Sequence, residues 1–303
     1  MVPITRRRVL GATGAVIAGA AAAALSEGFL PIGGRARADE QPDPLRLRRW
    51  VMVFDLQRCD GCVGLGLPPQ CTQTCTWSRF VPEGQQWLEV FESELNELPD
   101  AGIQFLPALC MQCQNAPCTN VCPVAATFHT PEGVVLIDQE RCIGCRLCMA
   151  ACPYDRRFFN WDEPVQPPQV KSSPYNVQTQ TPAIKGTVMK CDFCTDRAEA
   201  GGLPFCVEGC PRDAIYYGDI EEDIATNGSE VVQLSRLLNE NEAFRYKEEL
   251  GTKPRVYYMQ GHGEKALPKT KTEHERTFMK DRLEWPWERI VAELEKLGAE
   301  KPA

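Results

Sequence analysis

Hydrophobic positions along this chain come in short bursts rather than in long periodic runs. Trp50 to Leu56 is apolar apart from Asp55 and predicts a strand, and Ala214 to Tyr217 predicts a second. Thr127 to Ile137 reads as a hairpin turning at Pro131-Glu132-Gly133. Ser229 to Leu238 and Ala243 to Leu250 suggest helices, the second stopped by Gly251. Residues 162–187, rich in Pro, Gln, Ser and Thr, carry no period and predict a long insertion of the kind that serves function or partner binding. Near the end, Ile290, Val291, Leu294 and Leu297 share one face of an amphipathic helix predicted over Pro286 to Leu297, with Gly298 behind it; such a helix packs on its own domain or on a partner.

The one long apolar stretch, Val9 to Ile32, follows Arg6, Arg7 and Arg8 and precedes Ala36-Arg37-Ala38. That layout predicts a secretory signal over residues 1–38, outside the fold. Thr5-Arg6-Arg7-Arg8-Val9-Leu10 resembles the twin-arginine signal, with Val9 where Phe is commoner and Gly11 where Lys is frequent. An ordinary Sec signal or an uncleaved anchor is the alternative, because signal segments and membrane spans overlap in length. No later segment approaches the run of about 18 apolar residues that spans a bilayer, so membrane contact is expected only through a partner.

The 303 residues carry 33 basic and 41 acidic side chains. Without Arg6, Arg7, Arg8, Arg35, Arg37 and Glu27, 28 face 40, a formal −12. An acidic chain without a basic patch leaves a nucleic-acid role no electrostatic footprint. The length suits one or two compact units, with metal ligation replacing part of the core.

Sixteen cysteines change the picture. They fall at 59, 62, 71 and 75; at 110, 113, 118 and 122; at 142, 145, 148 and 152; and at 191, 194, 206 and 210. Every group is C-x2-C, a variable gap, then C-x3-C, with gaps of eight, four, two and eleven residues. The third group, with Pro153 after Cys152, matches the bacterial ferredoxin run C-x2-C-x2-C-x3-C-P, in which three close cysteines take three corners of one cubane and the fourth ligates a neighbouring cluster. Pro123 and Pro211 follow the second and fourth groups, and Thr76 breaks the pattern in the first. Disulfides and structural zinc are the competing uses of so many cysteines; disulfide frameworks seldom repeat C-x2-C four times, and zinc sites seldom carry the tight triplet with its trailing Pro. The expected fold is α+β: tandem bacterial-ferredoxin-like units of short strands, short helices and long loops organised by four 4Fe-4S clusters. Its order is strand, cluster loop, hairpin, cluster loop, strand. The clusters are expected within residues 39–263, with 264–303 as a C-terminal extension.

His129, His262 and His274 sit in no metal-binding or triad spacing, so the chain alone is expected to have no substrate. Arg146, Arg156, Lys190 and Arg212 lie beside cysteines. They are placed to raise cluster potentials within the roughly −700 to +450 mV open to such groups, or to serve in ordinary ion pairs. Phe158, Phe159 and Trp161 are read as cluster shields or core, with a partner interface as the lesser use.

Over roughly residues 50–260 the chain resembles the ferredoxin-like beta subunits of complex iron-sulfur molybdoenzymes, the polysulfide, tetrathionate, thiosulfate and dimethyl sulfoxide reductases, with related periplasmic forms in nitrite and sulfite respiration. The segments that carry the likeness are Cys110 to Pro123, Cys142 to Trp161, Lys190 to Cys194 and Glu208 to Ala214. The first group departs from the family, with eight residues from Val63 to Gln70 where two are usual. The resemblance implies that the first group pairs with the fourth and the second with the third. Four ligand sets follow from it: Cys59, Cys62, Cys71 with Cys210; Cys191, Cys194, Cys206 with Cys75; Cys110, Cys113, Cys118 with Cys152; and Cys142, Cys145, Cys148 with Cys122. It also implies a periplasmic electron-transfer subunit working between an integral membrane quinone-reactive subunit and a molybdopterin-containing catalytic subunit. A free periplasmic polyferredoxin shuttling between complexes is the alternative. Replacing Arg6 and Arg7 together with Lys is expected to strand the chain in the cytoplasm, as cell fractionation would show; undiminished export would mean another route.

Overall fold

The computed structural model describes residues 48–94, 103–261 and 263. The signal segment expected over residues 1–38, His262, His274 and the helix expected over Pro286 to Leu297 lie outside them. Eleven strands are described: β1 Trp50–Asp55, β2 Glu89–Glu94, β3 Ile103–Ala108, β4 Thr127–His129, β5 Val135–Ile137, β6 Phe158–Phe159, β7 Val188–Met189, β8 Ile215–Asp219, β9 Ile224–Thr226, β10 Val231–Gln233 and β11 Val256–Met259. Seven short helices join them: α1 Gln70–Ser78, α2 Pro117–Asn120, α3 Leu147–Ala150, α4 Pro168–Lys171, α5 Thr195–Glu199, α6 Phe205–Glu208 and α7 Leu234–Glu240. Short strands with short helices are the α+β arrangement that the sequence predicts.

The largest sheet has the order β10-β9-β8-β1-β11, with β1 antiparallel to β8 and parallel to β11. β1 is buried on both faces, which its near-continuous apolar run WVMVFD allows. Period-two alternation sends Trp50, Met52 and Phe54 into the main core among the cysteine loops, while Val51 and Val53 meet Tyr216, Ala225 and Leu234 on the other side. Phe54 stacks on Tyr258 of β11 with ring centroids 5.5 Å apart.

β4 and β5 form the expected hairpin. A second hairpin, β2 with β3, has no counterpart in the sequence reading, because acids at Glu89, Glu92 and Glu94 blur the alternation. The helix expected over Ser229 to Leu238 is corrected: Val231–Gln233 is strand β10, and the helix runs from Leu234 to Glu240. Asn227 Oδ1 accepts the N–H groups of Ser229 (3.0 Å) and Glu230 (2.9 Å), which makes a turn, and the β-branched Val231 and Val232 then pair with β9. Asp223 caps the helix by accepting from Ser235 N at 2.6 Å. The helix expected over Ala243 to Leu250 is corrected as well. Phe244 bridges to Tyr258, and only Glu248–Leu250 forms a 3-10 turn, which ends at left-handed Gly251.

The 162–187 insertion has little regular structure beyond α4, yet glutamines knit it to the core. Buried Gln180 accepts from Lys190 N (3.1 Å) and donates to Lys190 O (2.7 Å). Gln139 donates to Gln180 O at 2.9 Å.

Truncating Phe54 to Ala is expected to cost about 3–5 kcal/mol and to lower the thermal unfolding midpoint clearly. A midpoint unchanged in calorimetry would show that β1 is not the spine of the core.

Candidate metal centres

The four cysteine groups share one backbone device. The residue before the second cysteine is left-handed in every group: Gly61 (φ 60°), Gln112 (46°), Gly144 (71°) and Phe193 (64°). One such residue reverses the chain so that thiols three apart can face one space. Only glycine fits at 144, where a Cβ would stand 2.3 Å from the Gly186 carbonyl oxygen. Gln112 is not a glycine, but its buried side chain donates to Cys191 O (3.0 Å) and accepts from Val135 N (2.8 Å), which offsets the strain.

The third cysteine is the second residue of a short helix in all four groups: Cys71 in α1, Cys118 in α2, Cys148 in α3 and Cys206 in α6. Where Pro follows the last cysteine, the chain turns left-handed two residues later, at Ala125, Asp155 and Asp213. After two of these turns a backbone N–H donates to the last sulfur, Ala126 to Cys122 Sγ (3.2 Å) and Ala214 to Cys210 Sγ (3.4 Å). Thr76, lacking that constraint, lets α1 run on through Cys75 to Ser78. The long loop of the first group is taken up by a 3-10 turn over Val63–Leu65 and left-handed Gly66. In the first and fourth groups an Asp after the first cysteine secures the second: Asp60 accepts from Cys62 N (3.0 Å) and Asp192 from Cys194 N (2.9 Å).

The cysteines converge in quartets. Cys59, Cys62, Cys71 and Cys210 line one cavity, walled by Phe54, Val90 and Ile215. Cys122, Cys142, Cys145 and Cys148 line another, beside Ala126, Ile137 and Val188. Cys75 lies among Cys191, Cys194 and Cys206. Cys113 lies among Cys110, Cys118 and Cys152. Helix packing follows the same pairing, α1 on α6 and α2 on α3. None of the sixteen is in a disulfide. Among the described residues no group of three or more His, Cys, Asp or Glu side chains is placed to hold a single metal ion.

Burial pushes the thiols of Cys59, Cys113 and Cys194 up to about 12 and that of Cys210 up to about 11. Thiolates grouped in fours and largely shielded from water need cationic charge at their centre, which iron supplies. The Tyr217 hydroxyl is buried without a hydrogen-bond partner among the described residues, and Asp192, Cys191, Cys194 and Cys206 surround it. A sulfur acceptor in that quartet would satisfy it. The donor sets therefore fit iron-sulfur clusters.

Of the four cations singled out by sequence, two are in ordinary pairs. Arg156 meets Glu89 at 2.8 Å, and Arg212 meets Asp60. Arg146 lies over the Phe159 and Trp161 rings at 5.3 and 4.5 Å. Lys190 is fully buried and donates to Cys191 O at 2.7 Å. Trp161 is 63 % exposed and so is not core, whereas Phe158 and Phe159 pack against the core. His129 is exposed on the β4–β5 hairpin. Sequence reading passed over Arg157, which donates to Cys118 Sγ at 2.9 Å; the alternation of neighbouring side chains in an extended segment was the available signal, since it sends Arg156 and Arg157 opposite ways.

Quartets of thiols at ferredoxin spacing, most of them buried or half-buried, define an electron carrier of the ferredoxin-like iron-sulfur class. The 4Fe-4S dicluster domain family matches residues 101–167 and 166–220. The chain is 36% identical to the selenate reductase B-subunit of Mesobacillus selenatarsenatis, over 71% of this chain and 73% of that protein. It is 33% identical to the tetrathionate reductase B-subunit of Salmonella typhimurium (84% and 88% covered) and 33% identical to the Hdr-like menaquinol oxidoreductase iron-sulfur subunit 1 of Archaeoglobus fulgidus (86% and 100%). The chain belongs to the family of iron-sulfur beta subunits of the complex iron-sulfur molybdoenzymes. It is an electron-transfer subunit of an oxidoreductase, not a catalytic one.

Seating Cys122 with Cys142, Cys145 and Cys148 has a direct consequence. Cys122→Ser and Cys145→Ser are expected to perturb one and the same electron paramagnetic resonance signal. Two different signals would refute the crossed arrangement.

Proposed function

We propose that each quartet holds one 4Fe-4S cluster, four in all, and that the subunit relays electrons between a quinone-reactive membrane subunit and a molybdopterin catalytic subunit. In this reading Cys59, Cys62, Cys71 and Cys210 ligate the first cluster, and Cys191, Cys194, Cys206 and Cys75 the second. Cys110, Cys113, Cys118 and Cys152 ligate the third, and Cys142, Cys145, Cys148 and Cys122 the fourth. Residues 39–263 form two tandem ferredoxin-like halves, 1–38 a twin-arginine signal, and 264–303 an extension. Clusters supply reversible one-electron transfer, and the chain's own residues bury, space and charge-balance them.

The observation that carries this reading is the adjacency of the quartets. Cys206 of the second has Cys71 of the first as a neighbour, Cys191 of the second has Cys110 of the third, and Arg157 faces both Cys118 of the third and Cys148 of the fourth. Four sites in series suit a connection between two fixed redox centres, where a diffusing carrier needs only one or two. A relative named as a menaquinol oxidoreductase subunit supports the quinone end, and relatives named for selenate and tetrathionate reduction support a catalytic partner at the other. Among the described residues no helix is long and apolar enough to cross a membrane.

Affinity capture of the chain from gently solubilised membranes is expected to bring down a large molybdopterin-binding subunit or an integral quinone-reactive one, and the captured chain to carry about sixteen irons and as many labile sulfides. Recovery of the fully loaded chain alone from the soluble periplasmic fraction would favour the shuttle instead.

A further inference from the structure

Arg157 is 3 % exposed, and among the described residues it has no carboxylate partner. Its Nη1 donates to Thr127 Oγ1 at 3.1 Å, which fixes the plane of the guanidinium, and its Nη2 donates to Cys118 Sγ at 2.9 Å. Its charge acts on Cys118, Cys148, Cys110 and Cys152, so its electrostatic partners belong to two quartets. Arg156, next to it, points the other way to Glu89 and stacks on Phe91 and Phe158. A buried guanidinium cannot shed its proton, and leaving it unpaired is costly. In this chain its counter-charge has to come from thiolate sulfur.

We propose that Arg157 is a positioning residue shared by the third and fourth cluster sites, bridging Cys118 of one and Cys148 of the other so that one fixed positive charge raises the potential of both. The inference rests on the four-cluster reading above. A cation facing only one site would raise that site alone and open a step in potential between neighbours. A cation facing both lifts the pair together, so the passage between them is not made uphill in either direction. Charge-assisted donation to thiolate sulfur favours the reduced, more negative state of each cluster. Because arginine stays charged at every working pH, this contribution does not vary with pH. Lys190 acts on Cys118 of the third site and on Cys191 of the second, and so makes the natural contrast.

The test is a mediated redox titration of the full-length purified chain, followed by electron paramagnetic resonance. The signals of the third and fourth sites are assigned with Cys113→Ser and Cys145→Ser. Arg157→Gln is expected to keep iron and labile sulfide, to lower the reduction equilibrium at those two sites at least tenfold each, about 59 mV for one electron, and to leave the other two in place. Arg157→Lys keeps the charge but loses the fork, and is expected to give a smaller fall at the same two sites. If Arg157→Gln does not retain its clusters, the Lys variant decides by the same criterion. Movement of one site only, equal movement of all four, or no movement overturns the bridge. Fewer than four cubanes in the unmutated chain would instead overturn the four-cluster reading, whatever the potentials do.

Discussion

Each quartet must draw its thiols from two remote stretches of chain, and the rest of the fold answers to that requirement. Cys59, Cys62 and Cys71 come from one loop, and Cys210, which lines the same cavity, arrives from beyond most of the described chain. The central sheet makes this meeting possible. β1 delivers the chain into the first cysteine loop, β8 leads away from the fourth, and the two strands pair along their length from Trp50–Asp219 to Phe54–Ile215. The helix contacts α1 on α6 and α2 on α3 follow from the same exchange, since each member carries a cysteine.

Charge is arranged around the sites with the same economy. At the second quartet Arg79 is paired with Asp192 at 2.9 Å and with Asp196, so the cation is largely neutralised by its own carboxylates. At the first, Arg212 is neutralised by Asp60. Both pairs also fix cysteine loops, because Asp60 and Asp192 accept N–H groups from Cys62 and Cys194. Arg157, against the third quartet, and Lys190, between the second and the third, differ in having no ion-pair partner among the described residues. Burial alone would hold Cys118 and Cys148 as neutral thiols; the guanidinium pulls both the other way.

Much of the site was legible because thiol spacing is a local code. The subtraction of cysteine positions identified four equal groups, and the structure gathers those cysteines into quartets that mix the first group with the fourth and the second with the third. β1 and the β4–β5 hairpin were also legible, since each is an apolar run with a clear boundary. What escaped was whatever depended on distant partners. β11 is an ordinary VYYM segment until it meets β1, and β10 looked helical until Asn227 turned the chain ahead of Val231. Alternation sends Arg156 and Arg157 opposite ways, but only the fold decides which one reaches sulfur. Gln112 and Phe193 gave no warning of left-handed backbone, because residues with side chains seldom adopt it.

The parallel pairing of β11 with β1 sets a schedule for how the protein is made. β11 is the last described strand, and the segment leading into it holds the second cysteine group as well: Gln114 and Asn115 donate to Lys253 O and Thr252 O, and Arg255 N donates to Met111 O. Tyr258 reaches Pro107 O at 2.8 Å. During synthesis, which runs from the N-terminus, β1 and all four cysteine groups emerge before β11. Completion of the scaffold therefore reports that translation has passed Met259. A ribosome that stalls earlier leaves β1 without its parallel neighbour and the second cysteine group without the backbone bonds from residues 252–255.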